Sequence, residues 1–413
     1  MKNKKKSGTT PILVWFCITI FYCYQSILRS LPNIICQEVM LDFNIGATKF
    51  GLFTGIYYIG YIALHIPIGV AIDRLGSRRV LPICVILTAT GIIPLIYPMS
   101  WESALIGRLI TGIGSSAAAV GALQVLRILY PAKFSRMLGL MVSVGLTLTV
   151  CFGNIILPVI LYIGIKKTLN ILLYFGLVLS VFTYFIIPRS TKEILNRRVL
   201  GNMRSVLFNH KLLFTSLFAG LMVGPMEGFA DGWGSAFLMN VYKLDKIFAD
   251  SLMLSILLGM GTGCSVLPYI AEKTGFHFIV TIVSGIVLFV SFCYILSGLA
   301  NVNTLNYVFI MIGVFSAYQV VILTKITTFV LEEQTGIAGS VANMLIMSFG
   351  WFFHNSIGSK LDSMWDGSIS KGVRQYSADS FIESIAIIPT AIIIAIIGFL
   401  TIAVLSFARD KKI

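Results

Sequence analysis

Apolar stretches of about twenty residues recur from one end of the chain to the other, separated by short polar segments. About twenty apolar residues in a helix cross the hydrocarbon core of a bilayer. Hydropathy predicts twelve such spans, at 11–37, 48–71, 79–98, 101–128, 136–160, 167–188, 211–239, 247–271, 276–299, 304–330, 335–359 and 381–408. The longest polar linker in the first two thirds, Arg189 to His210, falls between spans six and seven. The pattern predicts a tail (1–10), a six-helix lobe (11–188), a linker (189–210), a second six-helix lobe (211–408) and a short tail (409–413). The expected fold is an all-α membrane protein with twelve transmembrane helices in two pseudo-symmetric lobes.

Composition agrees. Of 413 residues, 57% are hydrophobic and 12% charged, about half the charge of a soluble domain. Mean hydropathy is +0.91. These values exclude a soluble enzyme, a disordered chain and a coiled coil. The 31 Lys+Arg against 17 Asp+Glu leave a net charge of +14, which in a soluble protein would suggest nucleic acid. Placed on the predicted spans, nineteen of the basic residues fall on the side of the N-terminus and eight on the other. Four (Arg29, Arg108, Arg127 and Lys325) lie within spans. The positive-inside rule then puts both termini in the cytoplasm and removes the case for a nucleic-acid partner. The basic N-terminus is followed by an apolar run too long for a signal peptide, so it reads as a retained first span of an inner-membrane, multi-pass protein. Seven cysteines without a CxxC pair or His/Cys cluster read as buried free thiols. Trp15, Trp101 and Trp365 fall near predicted interfaces and read as belt anchors.

The halves echo one another. Gly69, Asp73, Arg74, Gly76, Arg78 and Arg79 stand between spans two and three. Glu272, Lys273 and Gly275 stand 199 residues later, between spans eight and nine, repeating acid, base and glycine. The first loop contains the whole pattern G-x-x-x-D-R-x-G-x-R-R, and on it the chain resembles the major facilitator superfamily. Arg108-Leu-Ile-Thr-Gly112-Ile-Gly114 in span four is similar to that family's R-x-x-Q-G-x-G motif, with Thr111 in place of Gln. The Gly-Pro motif of drug/proton antiporters is missing from span five. Three segments (29–32, 229–234 and 339–345) resemble a branch of uncharacterised facilitators of intracellular pathogens. The resemblance implies transport by alternating access, with spans one, four and seven lining the pathway. It also implies a cytoplasmic gate at Gly69, Asp73, Arg74, Gly76 and Arg78, where a carboxylate clasp between the lobes would break as the cavity opens inward.

Charges inside a bilayer are costly unless paired or wetted, and they carry the sharpest functional signal. Arg29, Arg108 and Asp231 sit roughly 10 Å below the end of their spans opposite the N-terminal side, and Glu227 one turn deeper than Asp231. The expectation is a cluster of two arginines against two carboxylates. Arg29 and Arg108 would hold an anionic group of the substrate, and Glu227 and Asp231 would couple transport to protons. Gln25, one turn before Arg29, joins the candidate substrate-binding set with Tyr318, Gln319, Asn343 and Trp233. Tyr57, Tyr58 and Tyr61 crowd span two. His65 and His354 read as packing residues. The glycine-rich stretch 112–121 reads as close helix packing rather than a phosphate cradle.

The function expected is secondary transport of a small polar, carboxylate-bearing metabolite such as an amino acid, peptide or organic acid, coupled to protons. The protein would act as a monomer in the lipid bilayer, without cofactor or metal and not as an enzyme. An uncoupled uniporter, an anion exchanger and a non-transporting nutrient sensor remain the alternatives.

Overall fold

With no water in the hydrocarbon core, a spanning segment must satisfy its backbone internally, and each apolar stretch does so as a helix. The computed structural model of the chain describes residues 11–130, 133–188, 205–331, 334–370 and 372–410. Among the described residues, eleven helices are long and apolar enough to cross a membrane, and a bent pair supplies a twelfth crossing. Spans 1 and 2 are Pro11–Ile34 and Ala47–Leu75, and spans 3 and 4 are Ser77–Ile96 and Trp101–Leu129. Spans 5 and 6 are Phe134–Ile163 and Ile165–Ile186. Span 7 is His210–Val241, span 8 Lys246–Thr274 and span 9 His277–Leu296. Span 10 is Val302–Thr327, span 11 Thr335–Ser363 and span 12 Ala378–Asp410. Most of the expected 189–210 linker and both tips of the chain lie outside the described residues. The face where span 1 begins is called the near face and the opposite one the far face.

Breaks in the helices follow from the sequence. Span 2 bends by 41° at Leu64. Pro67, three residues on, has no N–H for the Ala63 carbonyl. In span 7, Pro225 cannot donate to Leu221, where the first α-helical segment ends. A wide i→i+5 turn follows over Gly224–Trp233 before α-helix resumes at Gly234. Span 1 ends at Ile34, short of the expected residue 37. A separate short helix, Cys36–Asp42, follows at the far face.

The internal repeat is visible in the backbone. Gly76 and Gly275 close the second span of each lobe with φ of 86° and 76°, a region that L side chains avoid. Within each lobe, helices meet at glycines. A methyl group on Gly112 would run into the Tyr57 backbone, and one on Gly313 into the Ile256 backbone. The 112–121 stretch is thus a packing surface.

The lobes meet where span 2 packs on span 11, span 5 on span 8, and span 1 on span 7. On the far half they are tied closely. Lys246 Nζ pairs with Glu38 at 2.7 Å. The Asp362 carboxylate at the end of span 11 accepts from the Ala47 and Thr48 amides that open span 2, at 3.1 and 2.8 Å. Tyr376 donates to the same carboxylate at 2.5 Å. Trp233 of span 7 stands edge-on to Phe50 of span 2, with ring centroids 5.1 Å apart.

Two expectations are corrected. Cys17, Cys23, Cys36 and Cys84 are buried, but Cys151 and Cys293 face outward. Trp15 is not an interfacial anchor: it is 6% exposed and its indole N–H donates to the Met137 carbonyl of span 5.

Candidate functional site

The wide turn of span 7 carries Glu227 and Asp231 on one side, one above the other, both at most 2% exposed. Arg29 of span 1 reaches them across the seam between the lobes. Its Nη1 lies 3.4 Å from Glu227 Oε2, and its Nε 2.9 Å from Asp231 Oδ2. Tyr58 of span 2 places its hydroxyl between the same two oxygens, 2.5 Å from Glu227 Oε2 and 2.9 Å from Asp231 Oδ2. The site is thus two carboxylates, one guanidinium and one phenol, drawn from both lobes. His354 of span 11 packs tilted against the Tyr58 ring at 5.7 Å, its Nδ1 without a hydrogen-bond partner among the described residues, and covers Gly232 on the wide turn. A methyl group at Gly232 would strike that imidazole, so the glycine is what lets span 11 approach.

Arg108 departs from the expectation. Among the described residues its guanidinium meets no carboxylate; Nη1 and Nη2 donate to the Leu28 and Arg29 carbonyls at 2.6 and 2.7 Å. The reason lies in span 1, where Pro32 has no N–H to satisfy the Leu28 carbonyl. The same guanidinium lies over the Tyr57 ring at 4.7 Å and the Phe53 ring at 5.7 Å. Arg108 therefore satisfies the carbonyl that Pro32 frees in span 1 from within its own lobe, and the expected pair of arginines against a pair of acids becomes one against two.

The other candidates divide. Gln25 is buried and holds Tyr57, whose hydroxyl donates to Gln25 Oε1 at 3.0 Å. Asn343 is half-buried on span 11 beside the Tyr61 phenol of span 2, again across the seam. Gln319 is buried with its amide nitrogen unpartnered. Tyr318 is a correction: it is fully buried and its hydroxyl donates to the Ala219 carbonyl at 2.6 Å, joining two helices of the second lobe. Trp233 is another. At 1% exposure against Phe50 it belongs to the far-face seal and does not stand open to a ligand.

Of the gate residues, Gly69 accepts from Gln124 at 3.5 Å, Arg74 is exposed, and Gly76 makes the reversal already described. Arg78 stacks over Tyr184 of span 6 at 4.9 Å, inside its own lobe. The Asp73 side chain lies outside the described residues.

Sequence reasoning misses the place of the Tyr58 hydroxyl between the two carboxylates and the burial of Asp250. Tyr58 stands out there only as one of three tyrosines. Asp250 falls with the far-side acids by its position near a span end, yet it is 5% exposed within span 8. On the far surface, outside the spans, burial and the hydrogen bond to Asp362 hold the Tyr376 phenol above its ordinary range. It therefore remains a donor to that carboxylate at any physiological pH.

The profile of the Major Facilitator Superfamily matches residues 14–354. The chain belongs to that superfamily. Its two-lobed bundle of apolar helices agrees with that membership. Among curated proteins it is similar to an uncharacterised transporter of Buchnera aphidicola (subspecies Schizaphis graminum), 24% identical over 233 residues. That match covers 54% of this chain and 56% of the relative. A second uncharacterised transporter, from the Acyrthosiphon pisum subspecies, is 24% identical over 198 residues, covering 46% of this chain and 50% of its own. The chain thus spans about half the length of the curated relatives it matches. Among solved structures, a mutant form of the nucleoside transporter NupG superposes with a TM-score of 0.74 at 14% identity, over 94% of this chain and 99% of that one. A bacterial homologue of the human lysosomal transporter Spinster, inward-facing and unoccupied, gives 0.71 at 16% identity, over 96% and 97%. At such identities the likeness concerns the fold of the facilitator alone.

Proposed function

We propose that this facilitator carries a small polar solute bearing a carboxylate by alternating access, coupled to protons at Glu227 and Asp231. The observation behind this is the sharing of one hydroxyl. Glu227 Oε2 and Asp231 Oδ2 both stand within 2.9 Å of the Tyr58 oxygen, which has one proton to give. The second contact needs a proton from the carboxylic acid itself. The Coulomb balance agrees, since one guanidinium offsets one of two buried carboxylates and the other is stable when neutral.

A solute carboxylate that takes Arg29 would release the acid pair from its counter-charge and favour uptake of a further proton. Substrate and proton then stabilise one occupied state together, as symport requires. Gln25, Asn343 and Gln319 are the polar side chains near this axis suited to the remainder of a small metabolite. The positive-inside balance supports both termini in the cytoplasm of a bacterial inner membrane, which makes the far face the outer one. The chain would work as a monomer, with the 69–79 loop as its cytoplasmic gate.

Uptake into proteoliposomes tests the reading. Accumulation of radiolabelled amino and organic acids should require an inward proton gradient in the wild type. Glu227→Gln should abolish accumulation yet spare counterflow exchange. Gradient-independent uptake would leave an uncoupled uniporter or anion exchanger, and ligand binding without flux would leave a sensor.

A further inference from the structure

One turn outward from the Arg29 site stands a second polar link between the lobes. Asn33 of span 1 grips Ser235 of span 7 at two points, donating from Nδ2 to the Ser235 hydroxyl at 2.8 Å and accepting its amide at 3.1 Å. The Ser235 hydroxyl donates in turn to Asp250 Oδ1 of span 8. Asp250 is 5% exposed, and its Oδ2 has no hydrogen-bond partner among the described residues. The charged and titratable groups that reach it are Lys246, Glu38 and Cys36. The Lys246 ammonium, one turn away on the same helix, is engaged by Glu38 at 2.7 Å. From spans 7 and 1, Ser235 and Asn33 face the carboxylate, and neither ionises. Asp250 is therefore a buried acid with one neutral donor and no cation of its own.

We propose that Asp250 is a second proton-binding site, separate from the Glu227–Asp231 pair, that governs closure of the far face. Buried without a cation, an ionised carboxylate costs several kcal/mol, so the closed far face favours the neutral acid. When the lobes part there, Asn33 leaves Ser235 and water reaches Oδ2, where the ionised form is well solvated. The proton leaves to that water on opening and must return from it before the face can shut. By linkage, acid favours the closed far face and alkali the open one, by up to about tenfold per pH unit in the open-to-closed ratio. This rests on the transporter reading for its purpose, since a proton taken from the outer side would license closure over the solute.

The test reads distance and requires neither flux nor a substrate. Spin labels at Met99→Cys and Leu299→Cys stand on exposed far-face loops of opposite lobes. The background replaces the outward-facing Cys151 and Cys293 and the half-buried Cys264 by serine. Pulsed electron–electron distances are measured on full-length protein in nanodiscs from pH 5 to pH 8. In the parent, a longer-distance population should grow as pH rises. Asp250→Asn should hold the short distance across the range, and Asp250→Glu should restore the response. Asn33→Ala leaves Asp250 in place but cuts the first lobe out of the chain, and should shrink the response several-fold. An unchanged pH response in Asp250→Asn or Asn33→Ala overturns the proposal, as does a parent whose distances ignore pH. Failure of proton-coupled transport would appear separately, as gradient-independent uptake with the distance response intact.

Discussion

Two arginines within the spans, half-buried Arg29 and buried Arg108, stand side by side and do opposite things. Arg29 reaches out of its lobe to two carboxylates; Arg108 turns inward to two backbone carbonyls of span 1, one of them that of Arg29. On the proposed reading, a guanidinium paired with acids across the seam can exchange partners, because a solute carboxylate offers the same fork geometry. One spent on carbonyls of its own lobe has no partner across the seam to exchange. The proposal thus separates the two arginines by partner, and not by depth or charge.

Removing Arg29 is the largest disruption the comparison predicts. Arg29→Ala leaves two acids facing each other without a cation and should cost about 3–5 kcal/mol of stability, the usual loss on breaking a buried pair. Uptake should fall to background. Thermal unfolding in detergent measures the first effect and proteoliposome uptake the second. Full substrate affinity in the purified variant would end the assignment of Arg29 as the anion anchor. Arg108→Ala should cost roughly 1–3 kcal/mol, for the buried Leu28 carbonyl left without a donor. Once normalised to folded protein, its substrate affinity should stay within about twofold of wild type, a difference of about 0.4 kcal/mol. A selective loss of affinity would return Arg108 to the binding site, where the sequence first suggested it.

At the far surface, Asp362→Asn keeps the shape of its clasp but loses the charge that meets the opening amides of span 2. A loss of about 1–2 kcal/mol in closure is expected, the scale of a partly buried carboxylate at a helix N-terminus. It should appear as a larger long-distance population between far-face labels on the two lobes at every pH. No change would mean that Trp233, Phe50 and the other apolar contacts close that face alone.

The spans and the repeat are legible because lipid leaves the backbone one choice and an apolar run announces it. Arg29 with Glu227 and Asp231 is legible too, since acids and bases at matching depths in helices of different lobes need one another. What escapes depends on rotation and register between helices. Tyr318 has the composition of a ligand contact, and only the facing of span 10 turns its hydroxyl to Ala219. Asp250, four residues into span 8, has the sequence position of an interfacial acid. It is buried beside the short helix Cys36–Asp42, which hydropathy merges in part with span 1. The partner of Arg108 is written in the sequence as Pro32, but a freed carbonyl reveals itself only when the neighbouring helix is known.

That last pairing gives the finest test. If Arg108 is held by the carbonyl that Pro32 frees, the two residues must be energetically coupled although their side chains have different work. Pro32→Ala supplies an N–H that can close the helix onto the Leu28 carbonyl, leaving the guanidinium the Arg29 carbonyl and the faces of Tyr57 and Phe53. Arg108→Ala should then cost about 1 kcal/mol less in the Pro32→Ala background than in the wild type, the net worth of one hydrogen bond. A double-mutant cycle on thermal or denaturant unfolding reads that difference. Strict additivity would mean that Arg108 is retained for its ring contacts and the Arg29 carbonyl alone.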